Sequence, residues 1–305
     1  MFSSPHQLYE ALLATGYIAD LASATTLYIA AKLHKPLLLE GPAGSGKTQL
    51  AYALATAGGT SVERLQCYEG LNEEKAIGRF DQSLQQLCIQ LKTQSDVPDW
   101  HALQTELHGR EFFMAGPLLR AIEHRDPCVL LIDELDKVSP EFEAMLLELL
   151  SAWQLSIPRL GTIQAQSYPL VVLTSNEERR IGDPLRRRSL YLRIEHPSPE
   201  REAEIVALQN TNATETFHAS IAGFAKALRG WSLEKPPSIS EVLDIAQALK
   251  LLGVERIAPE MRDVLLPLLA KTAADRRKLL LRDGFESLIG DAQQYSRQIL
   301  ERRAQ

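Results

Sequence analysis

The sequence predicts an α/β fold: a three-layer core on a five-stranded parallel sheet, followed by a small all-α domain. Three observations carry this reading. A short apolar run, Pro36-Leu37-Leu38-Leu39-Glu40, leads into Gly41-Pro42-Ala43-Gly44-Ser45-Gly46-Lys47-Thr48, and an Ala- and Leu-rich stretch follows as far as Ala57. A second apolar run, Cys128-Val129-Leu130-Leu131-Ile132, ends in Asp133-Glu134. Beyond Pro197-Ser198-Pro199 no strand pattern returns. Continuous apolar runs of this length suit strands buried on both faces, as in parallel sheets. The expected division is 1–197 for the α/β domain and 198–305 for the helical one, within the reach of a 305-residue chain.

The glycine-rich segment matches G-x-x-x-x-G-K-[ST] and sits between a strand and a helix, the context that pattern requires. Glycines at 41, 44 and 46 allow bare N–H groups to crowd around an anion. The helix beginning near Gly46 and stopping at Gly58-Gly59 turns its positive end to the same place. Residues Gly41, Pro42, Ala43, Gly44, Ser45, Gly46, Lys47, Thr48 and Gln49 are therefore expected to bind nucleotide, with Lys47 reaching the β- and γ-phosphates and Thr48 holding Mg²⁺. At the tip of the second apolar run, Asp133 is expected to hold Mg²⁺ across from Thr48, and Glu134 to orient and polarise the attacking water. ATP and Mg²⁺ are the cofactors this pair of motifs implies.

The remaining elements follow in chain order. Residues 5–13 read as a short amphipathic helix, Gly16-Tyr17-Ile18-Ala19-Asp20 as an interruption, and 21–33 as a second helix. Tyr17 and Ile18 are candidates for an adenine pocket, with plain helix packing as the alternative. Residues 62–67 read as a strand, 68–79 as a loop, 84–91 as strand or helix, and 93–99 as a polar surface insertion. Residues 111–114 and Gly116-Pro117 lead into a helix at 118–124. Ser139 and Pro140 look like the cap and first position of a helix whose stripe Phe142, Met145, Leu146, Leu149 and Leu150 is core. Segments 154–157 and 162–166 flank a hairpin turn at Pro158-Arg159-Leu160-Gly161.

Leu170-Val171-Val172-Leu173-Thr174 is a further buried strand, ending in Ser175-Asn176. Asn176 lies beside the γ-phosphate if that strand neighbours the Asp133 strand, where it can position the water. Arg186-Arg187-Arg188 precede a last strand at 189–194. They read either as a solvated basic turn or as the source of an arginine finger reaching a neighbouring subunit's γ-phosphate, which demands an oligomer. Helical patterns occupy 200–209, 217–229, 240–252, 261–269 and 278 to the end. Arg276-Arg277-Lys278 and Arg302-Arg303 read as solvated helix faces.

Composition narrows the classes. A 45% hydrophobic and 24% charged chain is ordinary for a soluble globular protein. A net charge of −6 argues against a general nucleic-acid binder. Cys67, Cys88 and Cys128 are odd in number and far apart, as expected of small buried hydrophobes in a reducing compartment. The seven His have no ligand spacing, so no structural metal site is expected. No 18 consecutive residues are apolar and Met1-Phe2-Ser3-Ser4-Pro5-His6 is not a signal peptide, so no membrane insertion and a cytoplasmic location are expected.

Taken together, the motifs resemble those of the AAA+ ATPases, and within them the MoxR type, over nearly the whole chain and most strongly from 37 to 197. In those terms Gly41 to Thr48 is Walker A, Leu130 to Glu134 Walker B, Asn176 sensor 1, and Arg187 or Arg188 the finger. Phe113-Met114-Ala115-Gly116-Pro117 looks like the MoxR-type insertion before helix 2, and 154–166 like the hairpin before sensor 1. Leu65-Gln66-Cys67-Tyr68-Glu69-Gly70-Leu71, Glu141-Phe142-Glu143-Ala144, Ile157-Pro158-Arg159-Leu160-Gly161-Thr162, Leu185-Arg186-Arg187-Arg188 and Lys235-Pro236-Pro237-Ser238 look closer to the CoxD-like subgroup. The resemblance implies a hexameric ring that remodels a client, by analogy a metalloenzyme being matured, with a von Willebrand factor A domain partner. It departs in one place: Pro236-Pro237-Ser238-Ile239-Ser240-Glu241 has no sensor 2 Arg. A nucleic-acid motor or loader built on the same core is the alternative function.

Overall fold

The computed structural model describes residues 2–93, 99–231, 233–280 and 282–303. The first helices are α1 (Pro5–Ala14) and α2 (Leu21–Leu33), each opened by a side-chain cap, Ser4 and Asp20. β1 (Leu37–Glu40), α3 (Lys47–Gly58) and β2 (Val62–Gln66) follow. Next come α4 (Glu73–Ala76), β3 (Gly78–Phe80), α5 (Gln82–Thr93), α6 (Trp100–Leu107), β4 (Phe113–Ala115) and α7 (Pro117–Glu123). β5 (Val129–Asp133), α8 (Pro140–Ala152), the hairpin β6 (Gln154–Ile157) and β7 (Gly161–Gln164), β8 (Leu170–Ser175), α9 (Asp183–Arg188) and β9 (Leu190–Arg193) complete the α/β part. After it come helices alone: α10 (Pro199–Gln209), α11 (Glu215–Gly230), α12 (Ile239–Leu251), α13 (Arg262–Leu269), α14 (Ala273–Leu280) and α15 (Arg282–Arg303).

Five strands form one parallel sheet in the order β2-β5-β8-β1-β9. β1, β5 and β8 are buried at every position. A central strand with no exposed residue must be covered on both faces, which explains its unbroken apolar sequence. The sheet is the expected five-stranded parallel one, with helices layered on it and a helical region after it.

The chain divides into two compact units. The first holds the residues up to Thr15, Ala19–Gly41 and Lys47–Arg193; the second holds Gly16–Ile18, Pro42–Gly46 and the chain from Ile194 onward. The first unit's core runs from Leu38 through Leu119, Leu130, Ile132 and Leu146 to Leu173, all at most 1% exposed. The Phe142, Leu146, Leu149, Leu150 stripe of α8 joins it, with Met145 packed partly against it. The second unit's core is built on Phe224, Leu228, Ile245, Leu265, Phe285 and Leu288. Its buried Glu202 meets Arg229 through two bonds, 2.8 and 2.7 Å, and Arg229 also donates to the Pro237 carbonyl at 3.1 Å.

Several expectations are corrected. The stretch 68–79 is not simply loop: it holds α4 and β3, and β3 pairs antiparallel with β4 more than thirty residues on. A three-residue strand whose partner is that distant leaves no local pattern. Residues 84–91, open between strand and helix in the sequence, form helix within α5, and Leu84, Leu87 and Leu91 on it are 41–61% exposed. Those apolar positions made the period ambiguous because they do not face a core. Of the expected insertion at 93–99, residues 94–98 lie outside the described residues. Arg186-Arg187-Arg188 lie in a short helix rather than a turn, with Pro184 near its start. Arg302 and Arg303 are not a merely solvated face: Arg302 donates to Glu200 at 2.7 Å and Arg303 to the Glu200 carbonyl at 3.1 Å.

Among the described residues no helix is long and apolar enough to cross a membrane. Burial pushes the Cys67 thiol up to about 12 and the Cys128 thiol up to about 11, the neighbouring carboxylates Asp133 and Glu63 adding to it. Neither is a thiolate at neutral pH.

Candidate active site

The register of the sheet sets the site. Gln66 pairs with Asp133, Ile132 with Leu173, Leu39 with Thr174 and Glu40 with Ser175. Four strands therefore end at one level, with their carboxyl ends on the edge where open α/β sheets bind ligands. From that edge β1 runs through the glycine loop into α3. Gly44 and Gly46 take φ of 70° and 94°, conformations that L side chains rarely adopt, so glycine is required there.

In the first unit, Lys47 is 5% exposed and donates to the Gly41 carbonyl at 2.8 Å. Burial pushes its ammonium down, against the pull of Asp136 and Asp133. The Thr48 hydroxyl donates to Asp133 Oδ1 at 2.9 Å, and the Thr174 hydroxyl donates to the same oxygen at 2.6 Å. Glu134 is left-handed at φ 57°, rare for a non-glycine residue, and its N–H donates to Thr174 Oγ1 at 2.9 Å. Thr174 thus holds both acids at once. Asp136, 4% exposed, accepts the backbone N–H groups of Asn176 at 3.1 Å and Glu178 at 3.0 Å. That carboxylate fixes the strand tip on which Asn176 sits, half-buried.

Lys47, Thr48, Asp133, Glu134 and Asn176 are therefore brought together. Gln49 is exposed at the start of α3. Arg64, Asp136 and Thr174 belong to the same cluster and were missed. Asp136 had one available signal: a third acid, three residues after Asp133 in a strand-tip turn. Arg64 had only its alternation with Gln66 on β2, which a half-exposed strand shows anywhere.

The three arginines of α9 are separated by their partners. Arg186 is bonded to Glu40, which is nearly buried at the end of β1, and stacks over the Tyr191 ring. Arg188 bonds to Ser151. Arg187 is exposed and has no hydrogen-bond partner among the described residues. Arg186→Ala strands the Glu40 carboxylate, so we expect a loss of about 2 kcal/mol in chemical unfolding; a fully buried pair would cost ~3–5 kcal/mol.

In the second unit, Tyr17 lies beside Gly46: a Cβ built on Gly46 would meet the Tyr17 ring at 3.9 Å. Arg201 holds the Ile18 carbonyl. The Ile239 N–H at the start of α12 donates to the Gly44 carbonyl at 3.3 Å, and a Cβ on Gly44 would fall 2.2 Å from that of Ser238. Ser238 closes a capping box with Glu241. In place of a sensor 2 Arg, the segment presents a capped helix start to the glycine loop.

The residues present fit a magnesium nucleotide. Oxygen donors, a threonine hydroxyl and a carboxylate 2.9 Å apart, suit a hard divalent cation. The buried Ser45 Oγ within the loop has no partner among the described residues, as a group awaiting an anion's oxygen would not.

Sheet order and loop geometry place this chain in the phosphate-loop class of α/β nucleotide-binding proteins. More narrowly, the chain belongs to the AAA domain family, dynein-related subfamily, whose match covers residues 36–189, half of its length. ATPases of this class generally use ATP and Mg²⁺. The chain is 24% identical over 237 residues to the uncharacterized protein SH1500 of Staphylococcus haemolyticus (strain JCSC1435), covering 73% of this chain and 81% of that one. It is 23% identical over 238 residues to SERP0979 of Staphylococcus epidermidis, covering 74% and 82%. Among solved structures it is similar to the Thermotoga maritima RuvB Holliday junction branch migration motor, at 17% identity and a TM-score of 0.43, over 87% of this chain and 68% of that one. At that level the likeness says nothing about what this chain acts on.

Proposed function

We propose that the chain is an ATP-hydrolysing AAA+ remodelling chaperone of the MoxR type, closest to the CoxD-like subgroup, working as a ring with its active sites shared between protomers. The observation that carries this reading is the direct bond between Thr48 of the phosphate loop and Asp133 of the acidic pair. It unites two motifs 85 residues apart at one strand edge. Lys47 binds the β- and γ-phosphates, Thr48 and Asp133 hold the magnesium ion, and Tyr17 and Ile18 flank the adenine. Magnesium at this position supplies charge neutralisation of the phosphates. Glu134 orients and polarises the attacking water, Asn176 positions it, and Arg187 reaches the nucleotide of the next protomer. The α/β domain at 1–197 hydrolyses and the lid at 198–305 responds.

The resemblance adds a hexameric ring in the cytoplasm, a von Willebrand factor A domain partner and a metalloenzyme client. The net charge of −6 favours a protein client over nucleic acid. Turnover per chain is expected to rise with protein concentration as protomers assemble, and to stay unchanged when single-stranded or duplex DNA is added at low salt. Stimulation by DNA that vanishes at higher salt would identify a nucleic-acid motor instead. A turnover per chain independent of concentration across the assembly range would refute the shared site.

A further inference from the structure

Asp133 is almost fully buried, and a buried carboxylate needs a compensating positive charge. One of its oxygens, Oδ1, takes the two threonine hydroxyls. The other, Oδ2, takes the guanidinium of Arg64 at 2.6 Å. Arg64 comes from β2, two residues before the partner of Asp133 in the register. Its head is steadied by Gln66 on the same strand. Four carboxylates, Asp136, Asp133, Glu177 and Glu134, act on Lys47 at this edge. While Arg193 pairs with Glu177, Arg64 is the cation bonded to Asp133 itself. Yet its side chain remains 42% exposed, against 4% for that of Asp133. It can therefore leave for water at small cost, whereas Asp133 cannot.

We propose that Arg64 is a positioning residue that serves as the internal counter-charge of Asp133, and that it yields this carboxylate when magnesium nucleotide loads. This inference rests on the magnesium-nucleotide reading of the site. A carboxylate oxygen committed to a guanidinium is a poorer ligand for a divalent ion, so Arg64 sets a threshold. Free Mg²⁺ alone does not displace it, while Mg²⁺ arriving with nucleotide does. The arrangement holds the acidic edge in shape between turnovers and keeps bare Mg²⁺ out of it.

The test uses the full-length chain and mant-ADP fluorescence, titrated with MgCl₂, alongside melting of the nucleotide-free protein with and without MgCl₂. For Arg64→Gln, the Mg²⁺ concentration giving half-maximal mant-ADP binding is expected to fall about tenfold, one charge-assisted bond's worth of competition. Binding of mant-ADP in EDTA is expected to match wild type. The nucleotide-free R64Q chain is expected to melt lower than wild type and to recover with MgCl₂ alone, which does not move wild type. Arg64→Lys, whose amine makes no planar fork, is expected to shift the midpoint the same way by less. A purely structural role would lower melting without moving the Mg²⁺ midpoint, and that result overturns the proposal. Equal or higher Mg²⁺ midpoints in variants that bind mant-ADP overturn it alone. A wild-type chain that binds no mant-ADP overturns the nucleotide reading and this inference with it.

Discussion

Glu134→Gln is expected to slow ATP turnover about a thousandfold while leaving nucleotide affinity within a factor of two of wild type. The amide keeps the shape and size of the carboxylate but cannot act on the proton of an attacking water. The backbone that aims the side chain is held independently, by the bond from the Glu134 N–H to the Thr174 hydroxyl. The substitution therefore does not disturb the left-handed residue on which the aim depends. On the proposed reading phosphate binding rests on Lys47 and the loop, and Asp133 keeps both its threonines. The measurement is single-turnover hydrolysis beside mant-ATP titration. A variant hydrolysing ATP at the wild-type rate would remove Glu134 from the chemistry. A variant that loses nucleotide binding would make it a structural residue.

Arg187→Ala is expected to reduce turnover per ring about a thousandfold, again with nucleotide affinity nearly unchanged, because an arginine finger acts on transition-state charge rather than on ground-state binding. The choice of Arg187 over its neighbours follows from the partners on α9. Arg186 is spent on Glu40 within the same chain, and Arg188, exposed like Arg187, bonds to Ser151, whereas Arg187 has no side-chain partner among the described residues. If the finger works in trans, Arg187→Ala and Glu134→Gln are complementary defects. Mixed and allowed to exchange protomers, the two dead chains are expected to recover measurable turnover, because an Arg187→Ala site then faces an intact arginine. Absence of recovery, with assembly confirmed by sedimentation, would place the arginine's action within its own chain or make it irrelevant.

The parts of the site that could be read from sequence share a property: their function is local in the chain. The phosphate loop needs a strand, glycines and a helix in succession, and all of these lie between Leu37 and Gly58. The acids end a strand whose unbroken burial shows in its composition. Asn176 was placed by the same argument applied to β8. What escaped was set by register across the sheet. Arg64 meets Asp133 across 69 positions, and Thr174 meets it across 41. Asp136 meets the N–H groups of Asn176 and Glu178 across 40 and 42 positions.

By itself, then, the sequence determined the phosphate loop, the acidic pair, the five strands and the change to helices after residue 197, because each depends on the period and residue types of one segment. Only the tertiary structure decided which arginine is spent on an internal carboxylate, that a threonine carries both acids, and that a guanidinium from β2 neutralises Asp133. Those outcomes depend on which strand lies beside which and in what register. Pairing of that kind is a property of the folded sheet, where distant residues come within 3 Å and burial makes each charge seek a partner.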